Sequence, residues 1–302
     1  DYVYLTRHPY IAQMVFETVL TEEQSRFDEF MRILAYLDID FDNDRSAFIY
    51  LTNAKRLLEH FPNRVFVYNI YKKAAEISPN NPKLLQQMAI MEIETKNLFK
   101  AEQYIAEANE LMKGADPIIL HTFAEIEFRK AENSRNNLEK NGFLDRAIKL
   151  CDKLLKDFGP SPFPFHTILK SLNSKLEMAL ISGDNPTIER IIKDIERRLR
   201  DAKQAFALHE FILEVEASFN QIVNNTPEAL TLLIKAHEVN KSSPFIATRL
   251  SNIYESNDEI DKALSVLNET LNNIPGDKDI NYNYAMLLMK KCRLPLFRTS
   301  SN

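Results

Sequence analysis

Hydrophobic and small residues recur along this chain at helical spacing, and the pattern returns after about 34 residues. The clearest repeat begins at Pro244 and starts again at Lys278. Inside it, two apolar stripes flank a polar turn, with Ala263 where two helix backbones approach closely and Pro275 as the stop. The pattern therefore predicts pairs of antiparallel helices as the building unit.

Three earlier repeat units begin at Phe48, Pro82 and Pro117, within one residue of the same spacing. Each is expected to hold one first helix, a turn and one second helix. In the unit that begins at Pro117, the second helix, marked by Ala147, arrives about eleven residues late, after the polar segment 129–142. We interpret that segment as an insertion, either a lengthened helix pair or a protruding loop.

Two stretches depart from the repeat. Residues 1–45 predict helices over 9–20 and about 22–37, and we assign them to a helical linker or to the end of an upstream module. Between residues 159 and 240 helices remain evident, but their register loosens. Residues 46–302 are accordingly assigned to the repeat region.

These features make the chain resemble the tetratricopeptide-repeat (TPR) family over roughly residues 46–291. The Trp and Gly that the family favours in the first helix are replaced here by Leu or Ala and by Ala or Ser. The resemblance implies an all-α fold, an α-solenoid of antiparallel helix pairs wound as a right-handed superhelix. It is carried in the last full repeat by Leu250, Ser251, Tyr254, Ala263, Leu267 and Pro275.

The same resemblance implies where a partner binds. In the TPR family the first helices line a concave wall with their second, fifth, ninth and twelfth residues, and such a mixed apolar and polar wall suits a protein or peptide. For the Ile and Phe positions, burial in the core is an equally good interpretation. The residues transferred as candidate partner contacts are Lys83, Gln86, Ile90, His121, Glu125, Phe128, Phe245, Thr248, Asn252, Glu255 and Tyr282.

One known ligand class of the family is not expected. Receptors for chaperone tails hold a terminal carboxylate with Lys at the fifth position and Asn at the ninth. In this chain only Asn252 fits that pattern. We therefore expect a different protein or peptide partner.

Charge, hydropathy and cysteine content bear on the class of partner and on the location of the protein. The net charge of −5 and the pI near 5.8 provide no positive field for nucleic acid, so no nucleic-acid partner is expected. No apolar run approaches the length of a membrane helix, so no membrane partner is expected either. Cys151 and Cys292 form no CxxC pair, which favours reduced thiols and a cytoplasmic location.

Candidate catalytic and metal motifs are incomplete. The chain has five glycines and no phosphate-binding glycine loop. His209-Glu210 begins like a zinc-binding HExxH motif, but Leu213 stands where the second histidine is needed. The calcium-like segment 38–44 lacks the required glycine. We therefore expect no catalytic residue, no metal site, no cofactor and no enzymatic activity in this chain, although a triad assembled only in space stays open.

A short segment near the start resembles a different family. Residues 4–17, with Arg7-His8 followed by Ile11-Ala12, are similar to the end of the ATPase module in bacterial signal-transducing NTPases with numerous domains. That resemblance implies a C-terminal sensor region that regulates an upstream NTPase switch, with bacterial stress or phage sensing as its nearest use. Oligomerisation would then occur through the full-length protein. The alternative is a free-standing scaffold or assembly protein without a switch.

Overall fold

The computed structural model describes the backbone of residues 18–298 and the side chains of residues 18–292. Within that part of the chain there are fifteen α-helices and no β-strand, which confirms the predicted all-α class. The Arg7-His8 segment lies outside the described residues, and so does the helix expected over 9–20 except for its last three residues, of which Thr18 and Val19 are helical. The chain divides into two compact units after Asn133, called unit 1 and unit 2 here.

Unit 1 contains seven described helices, and α1 agrees with the helix expected over 22–37. Short connections join consecutive helices, so packed neighbours run antiparallel. The helices are α1 (Glu23–Tyr36), α2 (Asp42–Leu51), α3 (Ala54–His60), α4 (Arg64–Ile77), α5 (Pro82–Glu94), α6 (Leu98–Leu111) and α7 (Pro117–Asn133).

The α5–α6 pair shows how the sequence pattern forms one repeat. Asn81 caps α5 by accepting the backbone N–H groups of Lys83 and Leu84, and Pro82 occupies the first turn, where its missing N–H has no cost. Ala89 on α5 and Ala101 on α6 are fully buried in one core cluster. Small side chains at these positions let the two helices pack closely.

The first helix of the repeat at Phe48 is broken, which corrects the expectation of one continuous helix. Thr52 ends α2 and Asn53 caps α3 through the backbone N–H of Arg56. The groups freed at the break find partners nearby, because Gln87 Oε1 accepts the N–H of Ala54 at 2.9 Å. The break therefore leaves the backbone N–H of Ala54 with a hydrogen-bond partner.

Unit 2 contains eight described helices, several of them longer than those of unit 1. They are α8 (Asn137–Phe158), α9 (Pro162–Ser182), α10 (Asn185–Phe206), α11 (Glu210–Ile222), α12 (Thr226–Val239), α13 (Pro244–Ser256), α14 (Ile260–Asn273) and α15 (Lys278–Arg298). The polar segment 129–142 is helical except at residues 134–136, so it does not form a protruding loop.

Non-glycine residues occupy the left-handed backbone region after several helices, and Lys96 after α5 is one of them, with φ of 63°. Glycine adopts this conformation without steric cost. We expect Lys96→Gly to raise the free energy of unfolding by about 0.5–1 kcal/mol in urea denaturation. The matched change Lys72→Gly, within α4, should lower it by about 1 kcal/mol. A loss of stability in Lys96→Gly would contradict this account.

Candidate partner-binding surface

Helices α9, α11, α13 and α15 are the first helices of successive pairs in unit 2, and side-chain contacts join them in that order. Asn173 on α9 donates to the carbonyl of Val215 on α11 at 3.2 Å. Asn283 on α15 donates to Thr248 Oγ1 on α13 at 3.3 Å. Arg249 on α13 forms an ion pair with Glu214 on α11. Side chains at equivalent positions of the four helices therefore form one surface, called the first-helix surface here.

Three phenylalanines occupy the second position of α9, α11 and α13, and we call Phe163, Phe211 and Phe245 the aromatic row. Phe163 and Phe245 remain 49% and 58% exposed. The ring centres of Phe163 and Phe211 lie 5.7 Å apart. The row therefore presents large apolar side chains to solvent on rigid helices, as protein interfaces do.

Two histidines extend the aromatic row. His166 stacks on Phe211 with ring centres 5.1 Å apart and planes inclined by 25°. The ring centre of His209 lies 5.3 Å from that of Phe211 and 6.3 Å from that of Phe163. These contacts fix the orientation of the rings between α9 and α11.

A buried ion network lies in the same helices, formed by His166, Glu214, Ser218, Gln221 and Arg249. Glu214 is 3% exposed, and its Oε2 lies 3.0 Å from His166 Nε2. Its Oε1 accepts from Ser218 Oγ at 3.0 Å and from Arg249 Nη1. Arg249 also donates to Ser218 Oγ at 2.5 Å and to Gln221 Oε1. One carboxylate therefore joins α9, α11 and α13.

Electrostatics keep Glu214 ionised. Burial alone raises the pKa of a carboxyl group, but the hydrogen bond and charge of His166, followed by Arg249 and Ser218, outweigh burial and lower the pKa of Glu214 below its ordinary value. The Arg249 guanidinium carbon also lies 5.7 Å from the ring centre of Phe245. One guanidinium therefore contacts both the carboxylate of Glu214 and a ring of the aromatic row.

Five of the sequence-predicted contacts lie on α13 and α15. Phe245 belongs to the aromatic row, and Asn252 and Tyr282 are exposed. Thr248 is half-buried and holds Asn283. Glu255 forms an ion pair with Lys290 at 2.8 Å, so its carboxylate already has a partner.

The six predicted contacts of unit 1 differ in accessibility. Lys83 is exposed, whereas Ile90, His121 and Glu125 are half-buried. Phe128 is 4% exposed, and Gln86 is 8% exposed and donates to Thr122 Oγ1 at 3.1 Å. Gln86 and Phe128 therefore pack within unit 1 in this conformation.

Sequence reasoning missed Phe163, His166, Phe211, Glu214 and Arg249. Helices α8, α9 and α10 have 22, 21 and 22 residues, so the 34-residue spacing is not kept through this part of the chain. The four missed residues on α9 and α11 lie in this irregular part. One signal was present in the chain. The string Ser-Pro-Phe occurs at 161–163 and again at 243–245, at the start of two first helices.

No family model and no curated protein matches this sequence. Among solved structures, a thermophilic TPR protein of Thermus thermophilus, TTC0263, is similar with a TM-score of 0.56 and 15% identity, over 69% of this chain and 100% of that one. The chain has a TPR-like fold. Human IFIT1, solved as a dimer with PPP-AAAA, is similar to this TPR-like chain with a TM-score of 0.58 and 16% identity, over 97% of this chain and 61% of IFIT1.

Two further findings concern the described part of this TPR-like chain. None of its helices is long and apolar enough to cross a membrane. Among the same residues, no three His, Cys, Asp or Glu side chains are placed to hold a metal ion. His209 instead caps α11, where its Nδ1 accepts the backbone N–H of Phe211 at 3.3 Å.

Proposed function

We propose that this chain is a protein-interaction module that binds a protein or peptide partner on the first-helix surface of unit 2. The observation that carries the proposal is the aromatic row, because Phe163 and Phe245 are about half exposed although large apolar side chains gain most from burial. A partner that covers the row would remove this surface from water.

The buried ion network supports the same proposal. Interface hot spots are commonly aromatic or arginine side chains held in a well-packed setting. Phe211 is packed between His166 and His209, and Arg249 is fixed by Glu214 beside Phe245. A surface ordered in advance loses little conformational entropy when a partner binds. Asn252 and Tyr282 are proposed as further contacts along the same surface.

A peptide-display selection tests the proposal. Random twelve-residue peptides would be selected on the wild-type chain, and the strongest binder would be titrated by fluorescence anisotropy. We expect Phe163→Ala combined with Phe245→Ala to weaken binding at least about tenfold, as loss of hot-spot side chains does. The matched control is Ile181→Ala combined with Val239→Ala, which truncates exposed apolar side chains at the far ends of α9 and α12.

Two outcomes would contradict binding through the aromatic row. Equal weakening by both pairs of substitutions would mean nonspecific adhesion and would contradict binding through the aromatic row. A selected peptide that binds both variants as tightly as the wild type would place the interaction elsewhere. Circular dichroism of each variant establishes that the helices are retained.

We further propose that partner binding regulates an NTPase switch upstream of this chain. Its support is the resemblance of residues 4–17 to the end of an ATPase module, which also suggests a cytoplasmic bacterial protein in stress or antiviral sensing. The test is the ATP hydrolysis rate of the full-length protein with and without the selected peptide. A gene with no Walker motif upstream of this region would favour the alternative, a free-standing TPR scaffold.

A further inference from the structure

A second surface feature lies in unit 1, on helices other than those that carry the aromatic row. A cleft of about 420 Å³ opens between α2 and the start of α5, and we call it the unit 1 cleft. This volume is within the range of roughly 300–1,000 Å³ that is typical of ligand pockets. Lys83 and Gln86, the second and fifth residues of α5, both line it.

The walls of the unit 1 cleft are largely apolar. Phe48 from α2 and Leu84 from α5 are buried in the core of unit 1 and line the cleft with their remaining surface. Ile39 and Ile49 add apolar side chains nearer to solvent, and Ile49 is 52% exposed. An apolar group that enters the cleft would therefore remove apolar surface on both sides from water.

Polar groups inside the cleft already have partners. Thr52 Oγ1 donates to the carbonyl of Phe48 at 2.7 Å, and Ser78 Oγ accepts from Asn81 at 2.9 Å. Gln86 donates to Thr122, and Gln87 accepts the N–H of Ala54. Since these groups gain little from a polar ligand, an apolar occupant fits the interior better.

Charged side chains at the cleft are arranged asymmetrically. Arg45 is held by the carboxylate of Asp42 at 3.1 Å and by the carbonyl of Ile39 at 3.1 Å. Among the described residues, neither the Asp40 carboxylate nor the Lys83 ammonium has a hydrogen bond or ion pair. Asp40 lies on the connection before α2 and Lys83 lies on α5, so these two charged groups come from different sides of the cleft.

We propose that the unit 1 cleft binds one apolar side chain of a partner segment whose two neighbouring residues carry opposite charges. The apolar side chain enters between α2 and α5, its acidic neighbour meets Lys83, and its basic neighbour meets Asp40. The segment lies in one direction across the cleft, so only one order of its two charges brings the acidic neighbour to Lys83 and the basic neighbour to Asp40. This site shares no residue with the aromatic row and does not depend on the function proposed for unit 2.

Two nine-residue peptides test the charge order. Both carry a central leucine, flanked by glutamate and lysine in opposite orders, and binding to the complete chain would be measured by saturation-transfer NMR. We expect the wild type to prefer one order by about threefold or more, as exposed ion pairs allow. The double variant Asp40→Lys, Lys83→Glu should invert the preference while the net charge stays the same.

A second pair of variants tests the apolar interior. Ile49→Asp places a charge at the cleft and should weaken binding of the preferred peptide at least about fivefold. Val65→Asp is the control, because Val65 is 59% exposed on α4 and does not line the cleft. Absence of binding by both peptides, equal binding of the two orders, an unchanged preference in the double variant, or equal loss in both aspartate variants would each overturn the proposal.

The aromatic-row variant keeps this test separate from the function proposed for unit 2. Phe163→Ala combined with Phe245→Ala should leave the charge-order preference of the cleft unchanged. A loss of that preference in this variant would also overturn the assignment to the unit 1 cleft. Failure of the cleft test would leave the display selection on the aromatic row unaffected.

Discussion

Glu214→Gln is expected to lower the free energy of unfolding by about 3 kcal/mol, the lower end of the cost of breaking a buried ion pair. Glu214 is almost fully buried, but His166 and Arg249 retain 18% and 19% of their side-chain exposure, so water lessens the loss. A neutral amide keeps the side-chain shape and removes the negative charge that pairs with Arg249 and faces His166. Urea denaturation of the two proteins at pH 7 measures the difference.

A double-mutant cycle identifies the source of this loss. Arg249→Met alone removes the cation, and Glu214→Met with Arg249→Met removes both charges and leaves side chains of similar length. We expect the double variant to lose about 2 kcal/mol less than the sum of the single changes, because no unpaired buried charge remains. Additive losses would show that Glu214 and Arg249 stabilise unit 2 independently.

The same network predicts how stability changes with pH. The folded-state pKa of Glu214 is lowered, so its contribution to stability is fully present above its unfolded pKa of about 4.3 and is lost as pH falls through the folded value. The advantage of the wild type over Glu214→Gln should therefore be fully present at pH 7 and shrink below about pH 4.3. An advantage that stays constant from neutral to strongly acidic pH would contradict an ionised Glu214.

Local patterns made the helix pairs predictable. Apolar residues at helical spacing, proline at the starts of α5, α7 and α13, and small residues at helix crossings such as Ala263 all act within one repeat. For that reason the all-α fold followed from the sequence and is confirmed. The lengthened helices α8–α10 shift the register of the repeat. Comparison of the chain with itself at a spacing of 34 residues therefore fails in this region.

The first-helix surface depends on contacts that are distant in sequence. His166 and Glu214 are 48 residues apart, and Glu214 and Arg249 are 35 residues apart. No local periodicity indicates that a carboxylate on α11 meets a histidine on α9, since that contact arises only when the helices pack. Phe245 and Tyr282 could be found by register because they lie in regular repeats, and their role in partner binding stays a prediction.

The break between α2 and α3 in unit 1 also depends on contacts that local periodicity does not indicate. One of these contacts, made by Tyr71, predicts a large loss of stability. Tyr71 is 1% exposed, and its hydroxyl lies 3.2 Å from the carbonyl of Thr52 at the break. Burial raises the pKa of Tyr71, so the hydroxyl stays protonated and donates. We expect Tyr71→Ala to lower the free energy of unfolding by about 4 kcal/mol, because it leaves a large cavity in the core of unit 1.

Tyr71→Phe separates packing from hydrogen bonding at this position. It keeps the ring and removes the donor, so the expected loss is about 1 kcal/mol. Amide hydrogen exchange should accelerate in α2 and α3 and stay unchanged in unit 2, because the freed carbonyl lies at the helix break. Tyr36→Ala, at a site 79% exposed on α1, should change stability by less than about 0.5 kcal/mol. Equal losses in Tyr71→Phe and Tyr71→Ala would mean that the hydroxyl, rather than the packing of the ring, stabilises the broken helix.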